Sequence, residues 1–494
     1  MIKTIKEYRS IPLLVNLIII SVLLITPLSV AKMGYRPPDD ALRHAAKAVS
    51  GKDWQDILVI REGYTIDSHI GWHKFLGWIH HTLGWDTDAL VVFEMVFLFF
   101  LFCLLPLLFF KRAEYWILSL DIVMLSVSNY VMRLVKGRPY IFSMTTLLLI
   151  FLVWEKLKEK KIRYDILIAI MLMTAVTTYI HTSIWFLFAL PVVSFAIAKE
   201  WRVAGLVLAS LICGIIAGMM FTGDPVAYVT QTISHAIWAF ESVSMQRQLV
   251  SEFLPFQGSF LLVVSISLFL LWRAARGKWD RAMLFDPMFI MVVLSWVLGF
   301  KAVRFWDDWG IPVLLIWMAR EFQEAMGDKI PLKSPGRLVF TLVVAIVFYC
   351  LGTNDYFTRY TGEKPVGCFC DDDKEAEGWL PEPGGIMYSA SMGLFYKTFY
   401  EHPDGDWKYI VGYEPAIMPE EDLLIYRYLQ TAPASNAGYE CWIEKMSEKD
   451  RIVLPNIKEP EIGGLEWKYL TVYGIWVGKK TPGKRYEKES GQER

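Results

Sequence analysis

Apolar stretches recur along the chain as far as Leu351, most of them about 17 residues or longer and separated by short polar loops. They cover 11–31, 89–110, 114–132, 139–155, 164–181, 183–198, 202–221, 259–272, 286–300, 309–320 and 337–352. The pattern predicts about eleven transmembrane helices, with 183–198 short enough to be tilted or re-entrant. From Asn354 the chain turns polar and rich in Gly and Pro. Strand-like segments follow at Gly385 to Ser389, Trp407 to Tyr413, Gly438 to Ile443 and Tyr469 to Val477, with helical spacing from Glu420 to Leu429. The expected fold is an α-helical polytopic membrane protein with a small C-terminal extracytoplasmic α+β domain. The membrane module spans 1–352, with its first outer loop at 32–88. The α+β domain spans 353–480, and 481–494 is a disordered tail whose charged composition starts at Lys479.

Basic residues orient the spans. They cluster in the N-terminal tail, Lys111-Arg112, Lys156 to Arg163, Lys199 to Arg202, Arg273 to Arg281 and Arg320 to Arg337. Those are alternate loops, which places them together in the cytoplasm. The loops 32–88 and 222–258 and the C-terminal part then share the outer face, the periplasmic side of a bacterial inner membrane. Two outer loops break the charge rule: Arg133 to Pro139, including Arg138, and Lys301 to Trp309, including Arg304. Snorkelling at span ends is one explanation; a cationic lining that binds a phosphate is the other.

Composition agrees with a membrane protein: 54% of the 494 residues are hydrophobic. A formal net charge of -1 argues against nucleic acid as a partner. Lys3, Lys6 and Arg9 before the first apolar run imitate a signal peptide, but no A-x-A cleavage pattern follows, so the run is expected to be a retained span. Of six cysteines, Cys103 and Cys213 lie in apolar runs, while Cys368, Cys370 and Cys441 leave room for one disulfide.

The first outer loop carries the ionisable groups. Pro37-Pro38-Asp39-Asp40 opens an interfacial helix in which Ala41, Leu42, Ala45, Ala48 and Val49 keep helical spacing. An N-cap accounts for one aspartate and leaves the other for function or solvation. Further on, Asp67, His69, His73 and Lys74 fall within eight residues. Histidines four apart can share a metal, but Gly71 weakens a helix there and no H-E-x-x-H pattern is present. Trp72, Trp78 and Trp85 fit an interfacial aromatic belt.

This arrangement resembles the polyprenyl- and dolichyl-phosphate-sugar-dependent mannosyltransferases of the GT-C superfamily. Those enzymes carry an early Asp-Glu pair in the first outer loop and then D-x-H-P-P-L-G-K. Asp39-Asp40 stands for the pair, and Asp67, His69 and Lys74 match the second motif at identical spacing. Ile70-Gly71 replaces Pro-Pro, Trp72 replaces Leu, His73 replaces Gly, and Asp40 replaces Glu. The motif covers the first loop alone. The resemblance implies an inverting transfer of a sugar from a polyprenyl-phosphate donor to a lipid, glycan or protein acceptor. Asp39 or Asp40 would be the base, the other orienting the acceptor or a divalent ion such as Mg or Mn. Asp67, His69 and His73 would support the loop and the acceptor, and Lys74 would meet the donor phosphate. Arg138 and Arg304 join Lys74 on grounds of topology.

The chemistry asks for the same groups: a base for the acceptor proton and cations around the departing phosphate. No Walker or Rossmann glycine pattern is present, and Asp86-Thr87-Asp88, Asp404-Gly405-Asp406 and Asp371-Asp372-Asp373 are short enough to arise by chance. His181 reads as an interfacial histidine. The loop 222–258, with His235, Trp238, Glu241, Arg247 and Gln248, has amphipathic character that could cover a cavity. The rival expectation is a non-enzymatic lipid-linked glycan flippase or a polysaccharide-export or assembly component.

Overall fold

A computed structural model describes residues 2–64, 66–241, 254–255, 260–278, 281–327, 330–362, 369, 375–431, 437–454, 458–460 and 462–481. It is mostly helical, with a small C-terminal sheet. The chain forms two compact units. Unit 1 contains Met1–Tyr35, Ser68–Trp72 and Val92–Tyr360; unit 2 contains Arg36–Asp67, His73–Val91 and Thr361–Arg494. This division departs from a single boundary near 352, because most of the first loop groups with the C-terminal part.

In unit 1 the apolar stretches become largely helix, but the stretch 114–132 breaks at 127–129 into the helices Ala113–Ser126 and Tyr130–Val135. Among the described residues, five helices are long and apolar enough to cross a membrane: Ile11–Lys32, Thr87–Leu108, Tyr140–Leu157, Trp201–Met220 and Pro335–Thr353. Tyr164–Ile180, Trp185–Ile197, Phe260–Ala275 and Pro287–Gly299 are apolar but shorter. The stretch 183–198 is broken, beginning as the 3-10 segment Thr182–Phe188 and continuing as the α-helix Ala189–Ile197. Pro191 explains the restart: it lacks an N–H and is tolerated in the first turn of a helix, not further in. Ile311–Met326 likewise follows a π turn at Trp306–Gly310, with a proline in its first turn.

Lipid offers no hydrophobic drive between helices, so close packing depends on small residues. Gly214 and Gly218 supply it between Trp201–Met220 and Tyr164–Ile180. A Cβ at either would come within 2.5 Å of a carbonyl oxygen, of Met171 or of Ala175. A Cβ at Gly352 would come within 2.5 Å of the Thr26 side-chain methyl, where Pro335–Thr353 packs on the Ile2–Lys32 helix. Buried ion pairs clamp helix ends. Arg337 donates two hydrogen bonds to Glu114, at 2.7 and 2.8 Å. Arg273 pairs with Glu321.

Unit 2 is built on a five-stranded sheet. Its strands are β1 (Ile386–Tyr388), β2 (Lys408–Tyr409), β3 (Arg451–Leu454), β4 (Leu465–Leu470) and β5 (Ile475–Lys480), in the order β2-β1-β3-β5-β4. β1 runs parallel to β2 and β3, while β5 is antiparallel to β3 and β4. The first loop is woven into this framework. Leu58 bridges Tyr409 in parallel, the Val59 amide donates to the Tyr409 carbonyl at 3.0 Å, and the Arg61 amide donates to the Ile417 carbonyl at 2.9 Å. The Asp40–Ser50 helix packs against the Met392–Glu401 helix.

Several expectations change here. Gly438 to Ile443 is not a strand but part of the Ala437–Lys445 helix, anchored by the Trp442 indole N–H on Asp422. Tyr469 to Val477 is not one strand but the turn of the β4–β5 hairpin, where Gly474 takes a φ of 64°. Trp407 to Tyr413 contributes only the short β2. Lys479 and Lys480 belong to β5, not to a tail. The helix expected at Glu420 to Leu429 is Glu420–Thr431. Cys441 is a free, exposed thiol, whereas Cys368, Cys370, Asp371 to Asp373 and 482–494 lie outside the described residues.

Candidate functional site

The acidic pair begins the Asp40–Ser50 helix, and Gly51 closes it in the left-handed region. Asp39 holds the N-cap position, yet its side chain makes no cap hydrogen bond. The simplest structural use for this aspartate is therefore not taken. Asp40 accepts from Arg43 Nε at 2.8 Å, one helical turn on, and from the Tyr396 hydroxyl at 3.5 Å. Arg43 is buried, with its guanidinium 4.1 Å from the centre of the Tyr413 ring. Burial alone would lower its pKa, but Asp40, Tyr396 and Tyr413 outweigh that and raise it, so Arg43 stays charged. Burial also pushes the Tyr413 phenol up.

The same helix carries a second network. His44 Nδ1 lies 2.8 Å from His73 Nε2, and His73 Nδ1 lies 2.5 Å from Asp67 Oδ2. Trp54 stands against both networks, its ring 4.8 Å from Tyr413 and 5.8 Å from His73. Burial is the main cause of a lowered His73 pKa; Asp67 opposes it, while Lys47 and Arg43 reinforce it. Lys74, the neighbour of His73, is exposed, and no hydrogen bond or ion pair holds it among the described residues. Asp67 thus pairs with His73, the residue that departs from the family pattern, and not with the matched Lys74.

In unit 1 the structure brings other expected residues together. The His69 and His181 rings lie 5.3 Å apart, and Trp72 donates its indole N–H to buried Glu94 at 3.1 Å. The helix starts at Ile70, after His69, and accommodates Gly71 against the Tyr179 ring. Among the outer-loop cations, Arg133 donates two 2.8 Å hydrogen bonds to Asp308, and Arg304 adds a third contact at 3.2 Å. Two guanidiniums share one buried carboxylate. Arg133 also stacks 4.3 Å from the Tyr140 ring centre. Arg138 sits half-buried just before the Tyr140–Leu157 helix.

The sequence reading missed Arg43, His44, Trp54, Tyr396, Tyr413 and Asp308. A signal existed for three: Arg43 and His44 follow Asp40 at the i+3 and i+4 spacing of one helix face, and Asp308 follows Arg304 by four. The tyrosines gave no local signal. The two D-x-D tripeptides have structural uses. Asp86 accepts from the Ala89 amide at 2.8 Å, Asp88 pairs with Arg36, and the Asp404 carbonyl accepts from Lys52. Residues 225–241 are helical, while Arg247 and Gln248 lie outside the described residues. Among the described residues no three or more His, Cys, Asp or Glu side chains form a candidate metal site. No family model matches the chain, and no curated protein matches it.

Proposed function

We propose that this protein is a GT-C-like integral membrane glycosyltransferase that moves a sugar from a polyprenyl-phosphate donor to an acceptor hydroxyl on the extracytoplasmic face. The observation that carries the reading is the acidic pair at the start of the Asp40–Ser50 helix, where buried Arg43 and the Tyr396 hydroxyl hold Asp40 in place. Asp39 or Asp40 is then the base that takes the acceptor proton, and the other would orient the acceptor or a Mg or Mn ion. In the inverting single displacement, the acceptor oxygen bonds to the anomeric carbon as the bond to phosphate breaks. The phosphate leaves carrying the bonding pair, and Lys74 of the first outer loop compensates its charge. Asp67, His69 and His73 support the loop.

The contacts inside unit 2 support the topology this requires. Residues 36–67 bond directly to the C-terminal sheet, so the two share one side of a membrane. The chain between them must cross an even number of times, as ten of the eleven expected spans would. The positive-inside pattern favours the extracytoplasmic side. Glu94 and Asp121, carboxylates buried within apolar helices, favour a second reading as a lipid-linked glycan flippase.

The test compares wild type with Asp39→Asn and Asp40→Asn in membranes supplied with labelled polyprenyl-phosphate sugars. Loss of the general base is expected to slow transfer about 10²- to 10⁴-fold in the variant that removes it, with a smaller loss in the other. Unchanged transfer in both would remove the base assignment, and no transfer by wild type with any donor would put the flippase reading ahead.

A further inference from the structure

We propose that Asp67, His73 and His44 form a proton relay, with His44 as its accepting end and Asp67 as its compensating charge. A carboxylate can only accept, so His73 donates Nδ1–H to Asp67 across 2.5 Å. In neutral His73 the lone pair is then on Nε2. The 2.8 Å contact to His44 consequently needs Nδ1–H of His44 as donor, which leaves the His44 lone pair on its own Nε2. The three side chains fix a direction: each ring donates from Nδ1 toward the carboxylate.

A proton arriving at His44 Nε2 lets the Nδ1 proton of His44 cross to His73 Nε2. His44 ends neutral in the opposite tautomer, and the imidazolium rests on His73 against Asp67. One proton enters and none is lost. A second proton would set two N–H groups against each other across 2.8 Å, so the pair holds a single added proton. The groups facing the relay are Asp67 from the preceding loop, Lys47 and Arg43 from the Asp40–Ser50 helix, and the Trp54 ring. Burial first, and then these two cations, disfavour the charged form of His73. Burial of both rings, His44 at 0% and His73 at 6% exposure, shields the pair from bulk water.

His44 stands four residues after Asp40, one turn along the same helix. A proton collected by the acidic pair must leave before the next turnover, and His44 is its neighbouring acceptor. That use rests on the proposed sugar transfer; the relay itself does not.

The experiment is nitrogen NMR on the full-length protein labelled with 15N-histidine in detergent micelles, with His44→Gln and His73→Gln assigning the signals. The expected result is both rings neutral and Nδ1-protonated at pH 7.5, followed by shared uptake of one proton on acidification. Asp67→Asn should lower the affinity for that proton about tenfold or more, and Asp67→Glu should restore most of it. Either resting ring found in the Nε2–H form, or two independent uptake steps, would overturn the relay. An unchanged titration in Asp67→Asn would do the same. If Asp67→Asn fails to fold, the wild-type tautomers decide the matter. If wild type transfers no sugar, the NMR result still stands; if it does, His44→Gln should shift the pH profile of transfer.

Discussion

Glu114 in unit 1 and Asp40 in unit 2 both sit in the first turn of a helix and both pair with an arginine, yet the pairings differ in kind. Glu114 receives two hydrogen bonds from Arg337, and both side chains are almost wholly buried, at 1% and 3% exposure. Every part of that carboxylate's chemistry is directed inward. Asp40 receives hydrogen bonds from Arg43 and from the Tyr396 hydroxyl, keeps 23% of its side chain exposed, and has Asp39 beside it. A forked, enclosed carboxylate clamps helices together; a part-exposed one is oriented and still accessible.

That contrast can be broken most forcefully at Arg337. Arg337→Ala removes both hydrogen bonds to buried Glu114 and leaves it only the longer 3.6 Å contact with Arg112, and a loss of up to about 3–5 kcal/mol is expected in unfolding measured in detergent. The equivalent change in unit 2, Arg43→Gln, exposes Asp40 to a neutral neighbour where solvent already reaches. Its expected cost is roughly 1.5–3 kcal/mol, the range of a hydrogen bond to a charged group. Sugar transfer should fall further in Arg43→Gln than in Arg337→Ala once both are assayed on folded protein. Equal stability losses with equal activity would erase the distinction between clamp and site.

The smallest effect is a pH dependence confined to unit 2. His73 binds its proton less readily folded than unfolded, chiefly because it is buried. Above about pH 6.5 neither state is protonated and the stability is fully present. As pH falls below 6.5 the unfolded chain takes up a proton that folded His73 resists, so stability declines toward the lower folded value. Thermal unfolding scanned from pH 8 to pH 5 should show this decline, and His73→Gln should flatten it. A wild-type profile already flat over that range would mean His73 is not held neutral.

What the sequence made legible follows the physical range of each interaction. Hydropathy is a local property, and the apolar stretches are largely helical, although the breaks at 127–129 and before Pro191 divide two of them. Only five of those helices meet the length and composition for crossing among the described residues. Asp67, His69, His73 and Lys74 were visible as a cluster but not sorted. Asp67 and His73 meet each other, His69 meets His181, and Lys74 is exposed. That sorting depends on which residues stand opposite, and nothing local encodes it. The helix at Ala437–Lys445 was misread because Gly438 and its aromatic neighbours imitate strand composition, while the contact that decides it, Trp442 with Asp422, lies outside any short window.

The bridge between Leu58 and Tyr409 bears on timing during synthesis. Residues 36–67 emerge early, but the strand and helix they lean on are translated only after every apolar helix of unit 1. Until then the Asp40–Ser50 helix has neither Tyr396 to orient Asp40 nor Tyr413 to stack on Arg43. A nascent chain interrupted anywhere before Tyr413 could carry every apolar helix of unit 1 and still lack the finished surroundings of Asp40 and Arg43. The last part of the message to be read thus completes a side-chain arrangement encoded near its start.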